Sequence, residues 1–181
     1  MSYRKLMSRL REGRGLKRAK RNYDSKGCGT KTGMEKVNIF ISYSHEDAKW
    51  LKMLKKHLKV LSKYSDDIDY WEDTRLKGGD KWKDEIAKAI ERANVAILLV
   101  STDFLASDFI SNNELPPLLK KAEDSGARIL PLIVSPCAYA DSELGDFQAV
   151  NSPDKTLADI ANDEAAVNRA FLQVMDIIKG S

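Results

Sequence analysis

Two cysteines in 181 residues are too few for a disulfide scaffold or a four-thiolate zinc site. The two histidines, His45 and His57, form no metal-spaced cluster with Cys28 or Cys137, so no metal is expected. No apolar run reaches the roughly 18 residues that a membrane-spanning helix needs. Gly-x-Gly-x-x-Gly, Walker and Gly-x-Ser-x-Gly sequences are all missing, which removes the common nucleotide-binding and serine-hydrolase fingerprints. What is present is 43% hydrophobic and 31% charged residues, enough to build one cored domain with a tail.

The isoelectric point of about 8.7 invites a nucleic-acid reading, but the charge is segregated. Residues 1–36 carry 12 Lys/Arg against Glu12, Asp24 and Glu35, a net +9. The whole chain is +3, so residues 37–181 are −6. An acidic body argues against nucleic-acid binding by that body. Residues 1–36 are read as a basic leader ending in the Gly27–Gly33 linker run, with Met34 as an alternative start. Tyr3, Leu6, Met7 and Leu10 share one helical face. The leader is either a solvated arm or an amphipathic helix that contacts an anionic surface or partner. It lacks the apolar segment of a secretory signal.

Residues 37–179 alternate strand and helix patterns. Val37–Tyr43 is a strand pattern; Ser44 is placed to cap a following helix, with Asp47 in its first turn. Ala48, Leu51, Leu54, Leu58 and Leu61 mark the buried face of that helix, with lysines and a solvated His57 opposite. Ile68–Trp71 is a second strand, followed by a polar loop through Gly78-Gly79-Asp80. Trp82, Ile86, Ala89 and Ile90 stripe the next helix. Val95–Val100 is apolar throughout, as a strand buried on both faces must be. A broken helical region spans Phe104–Ala122 around Pro116 and Pro117. Arg128–Val134 is a fourth strand, whose Pro131 suggests a sheet edge. After an irregular stretch, Asn162–Lys179 is a last amphipathic helix. The expected fold is α/β, a flavodoxin-like doubly wound sandwich with a central, mainly parallel sheet of four to five strands. Ligands of such folds lie beyond the carboxyl ends of the strands. Cys28 and Cys137 read as structural or incidental, and His45 as a cap or surface residue.

Four segments in order resemble the TIR (Toll/interleukin-1 receptor) domain family, bacterial stand-alone type. They are Ile39-Phe40-Ile41-Ser42-Tyr43-Ser44-His45-Glu46-Asp47, Trp71 through Asp80, Ala96-Ile97-Leu98-Leu99-Val100-Ser101, and Ser107-Asp108-Phe109-Ile110-Ser111-Asn112-Asn113-Glu114-Leu115. The resemblance covers about 37–178 and implies one of two functions. One is a non-catalytic adaptor acting through TIR–TIR association. The other, favoured here, is a cytoplasmic NAD+ glycohydrolase in defence or effector signalling, releasing nicotinamide and ADP-ribose or a cyclic ADP-ribose. NAD+ is then the substrate, no further cofactor is implied, and self-association is expected.

The resemblance implies Glu114 as the catalytic carboxylate. Phe40, Ser42, Tyr43, Asp73, Arg75, Leu76, Ser101 and Ile110 are the implied substrate contacts, with Arg75 toward phosphate. Without the resemblance, Glu114 reads as a helix-start acid beside the caps Asn112 and Asn113, and Ser101 as a cap. One departure stands out. Many NAD-cleaving relatives carry an aromatic residue four positions before the glutamate, where this chain has Ile110. Phe109 takes that place only if the segment holds a local insertion.

Overall fold

The computed structural model describes residues 36–65, 67–72 and 81–180, and of Glu72, Lys81 and Trp82 the backbone alone. Strands β1 (Val37–Tyr43), β2 (Ile68–Glu72), β3 (Val95–Val100) and β4 (Arg128–Ile133) form one sheet. Every pairing is parallel and the order is β2-β1-β3-β4. The described residues thus give four strands, the lower end of the expected range. The helices between them are α1 (Ala48–Tyr64), α2 (Lys81–Arg92), the single turn α3 (Thr102–Leu105), α4 (Leu115–Ser125) and α5 (Glu164–Lys179).

Alternation along each strand sorts the core into two halves. Ile39, Ile41 and Tyr43 of β1 join Val95, Ile97 and Leu99 of β3 on a first face, packed against α1 and α5. Phe40 joins Ala96, Leu98 and Val100 on the second face, packed against α2 and α4. β3 is buried at all six positions, as its unbroken apolar run demands.

β4 is the outer strand on its side, which explains Pro131. Its ring nitrogen shares a side with the N–H of Ile133, which points away from β3 to the Asn151 side chain. Instead of a fifth strand, the chain after β4 covers this edge. Asn151 Oδ1 accepts from the Ile133 N–H at 2.8 Å, and its Nδ2 donates to the Ile133 carbonyl at 3.0 Å. Val150 N–H donates to the Pro131 carbonyl and Leu157 N–H to that of Ile133. Asn151→Ala would strand a buried N–H, and should cost about 1–3 kcal/mol in urea unfolding, whereas Asn151→Asp keeps the acceptor and should cost less.

Two local expectations are corrected. Ser44 makes no side-chain cap bond; a 3-10 turn, His45–Asp47, precedes α1. His57 is not solvated. Its ring stacks on Phe171 at 5.3 Å and its Nε2 meets Asn168 Oδ1 at 3.3 Å, because α5 packs against that shoulder of α1. Asp163, just before α5, supplies the cap that starts it, accepting from the Ala166 N–H at 2.9 Å.

Candidate functional site

β1 has neighbours on both sides, so the chain winds one way from β1 to β2 and the other way from β3 to β4. After β1 it passes to the first face, and after β3 to the second. The carboxyl ends of β1 and β3 therefore border a topological switch point, where doubly wound sheets hold ligands.

Ser42 and Glu114 meet on the second face at this point. Ser42, near the end of β1, is 2% exposed and Glu114 is 3% exposed. The Ser42 hydroxyl donates to Glu114 Oε2 across 72 residues of sequence. Strand alternation puts Phe40 on the same face as Ser42, stacked on Trp71 with ring centroids 5.4 Å apart. Tyr43 takes the opposite face, where its ring meets the edge of exposed His45 at 5.7 Å. The structure thus brings Phe40, Ser42 and Glu114 to one face and leaves Tyr43 on the other.

The backbone carrying Glu114 is not an α-helix start. Ile110–Glu114 is one π turn, with the Leu115 N–H donating to the Ile110 carbonyl five residues back. A π turn inserts one residue into a helical run. Asn112 and Asn113, expected as forward caps, bond backward instead: their side-chain amides donate to the carbonyls of Asp108 at 2.7 Å and Phe109 at 3.0 Å. Those amides stand in for the four-residue bonds that the wide turn forgoes. α4 follows at once, with Pro116 and Pro117 in its first turn, where no N–H is needed. The insertion sets Phe109 one wide turn before Glu114, half-buried against the second core half. Ile110 points into that core and is 3% exposed.

A second serine–carboxylate pair lies at the same end of the sheet. Ser101, just past β3, donates to Asp47 Oδ2 at 2.5 Å and accepts from the Phe104 N–H at 3.0 Å. Ser101 is thereby the cap of α3 as well as the partner of a buried acid whose sequence position marks it only as a first-turn residue. Burial pushes the Asp47 carboxyl above its ordinary range, against the Ser101 bond, which lowers it; the nearby Asp103 charge adds to the rise. A raised folded-state value means that the native state holds the proton longer than the unfolded chain. Stability from this group is therefore greatest in acid and falls as pH climbs from 3.8 through the raised value. Asp47→Asn keeps an acceptor for Ser101 and removes that loss. It should gain stability over the parent at pH 7, with the gain shrinking in urea unfolding near pH 3.5.

Asp73, Arg75 and Leu76 lie outside the described residues, as do the leader up to Glu35 and Cys28. Burial pushes the Cys137 thiol up, which disfavours a thiolate nucleophile. The Tyr139 phenol is pushed up to about 12 by burial and donates to the Phe147 carbonyl at 2.7 Å. Among the described residues, no group of three or more His, Cys, Asp or Glu could hold a metal ion, and no helix is long and apolar enough to cross a membrane. A cleft of about 290 Å³ between β2 and α2, lined by Lys36, Asp69, Lys88 and Arg92 among others, includes none of the expected substrate contacts.

A parallel, doubly wound sheet with a buried carboxylate at its switch point defines an α/β domain built to place a ligand at the ends of its central strands. Residues 39–170 match the family model described as TIR domain, and the chain belongs to that family. It is 29% identical over 142 residues to "Uncharacterized protein y4lF" of Sinorhizobium fredii, covering 78% of this chain but 42% of that protein. The chain thus spans less than half the length of this curated relative. Among solved structures it is similar to the TIR domains of the activated Roq1 resistosome, at 20% identity and TM-score 0.46 over 80% of this chain and 85% of that one. It is also similar to the TIR domain of the Toll-related receptor TRR-2 of Hydra magnipapillata, at 21% identity and TM-score 0.45 over 72% and 97%.

Proposed function

We propose that this TIR domain cleaves NAD+ at the nicotinamide–ribose bond, with Glu114 as the catalytic carboxylate. The observation that carries the reading is a single buried glutamate at the switch point, held by the hydroxyl of Ser42. One carboxylate is enough for this chemistry. Nicotinamide leaves a cationic centre as a neutral base, so no acid need protonate it. The glycosidic bond breaks with its electron pair going to nicotinamide, and positive charge grows on the ribose. A carboxylate in a low-dielectric site stabilises that charge and orients the ribose hydroxyls. Water then adds to the anomeric carbon and loses a proton, giving ADP-ribose; attack by the adenine ring instead gives a cyclic product.

The π turn supports the reading at the point where the sequence departs from the family. The extra residue lets Phe109, rather than Ile110, serve as the aromatic wall. Phe40 and Ser42 share the face of Glu114, and the family resemblance adds Asp73, Arg75 and Leu76 as substrate contacts, with Arg75 toward phosphate. Tyr43 and Ser101 act from behind it, through the first-face core and the Asp47 bond. Cytoplasmic defence or effector signalling is the setting this activity implies. The rival is a TIR adaptor without turnover. Its support is the 3% exposure of Glu114, which must be uncovered before a ribose reaches it. Chromatographic detection of nicotinamide after incubating concentrated protein with NAD+ separates the two. Release that depends on Glu114 supports the enzyme, and none even in enforced oligomers supports the adaptor.

A further inference from the structure

Helix α1 presents Lys49, Lys52, Lys56, Lys59 and Lys63 as one exposed stripe, each three or four residues from the next. The stripe runs roughly 21 Å, nearly the whole helix. Lys55 adds a sixth cation, and α1 contains no acidic residue. By contrast α2 sums to +1, and α4 and α5 each to zero. A +6 helix thus lies on a domain of net −6.

An apolar strip lies beside the lysines. Val60, Tyr64 and Leu172 are the exposed large apolar side chains among the described residues, Tyr64 at 79%. All three belong to the α1–α5 pair. The two helices run the same way. α1 returns from the end of β1 to the start of β2, and α5 ends beside the start of β4, where Arg128 donates to the Ile177 carbonyl at 2.9 Å. His57 of α1 meets Asn168 of α5. Val60 lies one turn beyond His57, and Leu172 one turn beyond Asn168, so both flank the same level of the seam. Tyr64 follows one turn after Val60. Single exposed apolar residues are ordinary, but a group of them rimmed by charge marks a binding surface.

We propose that the lysine stripe of α1 and its seam with α5 dock this domain on an anionic phospholipid bilayer surface. The lysines match the headgroup phosphates in charge, and Val60, Tyr64 and Leu172 enter the interfacial layer beside them. Tyrosine suits that depth, with an apolar ring and a wet hydroxyl. Duplex nucleic acid offers phosphates but no apolar layer, and α1 has no Arg, Asn or Gln to read a base edge. A second copy seated two-fold on this face would set one lysine stripe against another. Charges elsewhere on the domain are screened beyond about 8 Å at physiological salt, so the local +6 decides the contact. The inference goes beyond the proposed chemistry: it uses neither Glu114 nor NAD+ cleavage, and its test reads vesicle binding alone.

The test mixes full-length protein with vesicles of phosphatidylcholine, alone or with about 30% phosphatidylglycerol, and reads co-sedimentation. Binding should be at least about tenfold stronger to the mixed vesicles, and should fall at about 500 mM salt. K52E/K56E/K59E should weaken it about tenfold or more. V60S/Y64S/L172S keeps every lysine and should weaken it about threefold or more, leaving a remainder that salt removes. K88E/K120E/K155E makes the same charge change away from α1 and should bind like the parent. Every substituted side chain is exposed, so the fold should persist in all three variants. The basic leader is common to all of them, so the differences read the helix pair. The proposal is overturned by a parent that ignores the mixed vesicles, by K52E/K56E/K59E binding like the parent, or by equal loss in the control triple. It is also overturned if V60S/Y64S/L172S changes the oligomeric state and leaves vesicle binding intact, or if the lysines bind duplex DNA and not vesicles.

Discussion

Glu114→Gln should leave the protein folded and lower nicotinamide release by about a hundredfold to a thousandfold. Gln has the shape of Glu and keeps an oxygen to accept from the Ser42 hydroxyl. It lacks only the charge that the developing ribose cation needs. The side chain is 3% exposed, and a neutral amide is easier to bury than an ionised carboxylate, so thermal stability should hold or rise. Glu114→Ala is the weaker test. It empties the site and leaves the buried Ser42 hydroxyl without this acceptor, at about 1–3 kcal/mol. Lost turnover in that variant would mix lost chemistry with a loosened β1 end. Parent-like turnover in a folded Glu114→Gln variant would remove Glu114 from the reaction.

What was legible in the sequence was local. The apolar run of β3 announces burial on both faces, and Pro131 announces an edge, because each follows from the chemistry of its own segment. What was not legible depends on partners far along the chain. Asn112 and Asn113 have the short amides of helix caps. Whether such amides bond forward or backward depends on the width of the turn, here set where Ile110 enters the core and Glu114 meets Ser42, 72 residues away. Asp47 looks like an ordinary first-turn acid until Ser101, 54 residues on, is brought against it. His57 sits among lysines, and only the arrival of α5 makes its shoulder of the helix an inside surface. The carboxylate at the switch point was readable as a residue, but the second carboxylate beside β3 was not.

Phe171→Ala should be the most destabilising of these substitutions, by about 3–5 kcal/mol. Phe171 is fully buried on α5, in the first-face core, and stacks on His57 of α1 at 5.3 Å with planes 26° apart. Truncation removes that packing and opens a cavity between two helices that must stay close for α1 to cover β1. Against a typical total of about 5–15 kcal/mol, the loss would move the urea midpoint by a large fraction of its value. Leu172, the next residue, is 50% exposed, and Leu172→Ala should stay within about 0.5 kcal/mol of the parent. The pair of variants therefore separates loss of the α1–α5 contact from general weakening of α5. Asp47 closes the 3-10 turn that leads into α1, so its bond to Ser101 depends on where α1 sits. Phe171→Ala melting together with the parent would place this helix pair outside the cooperative core.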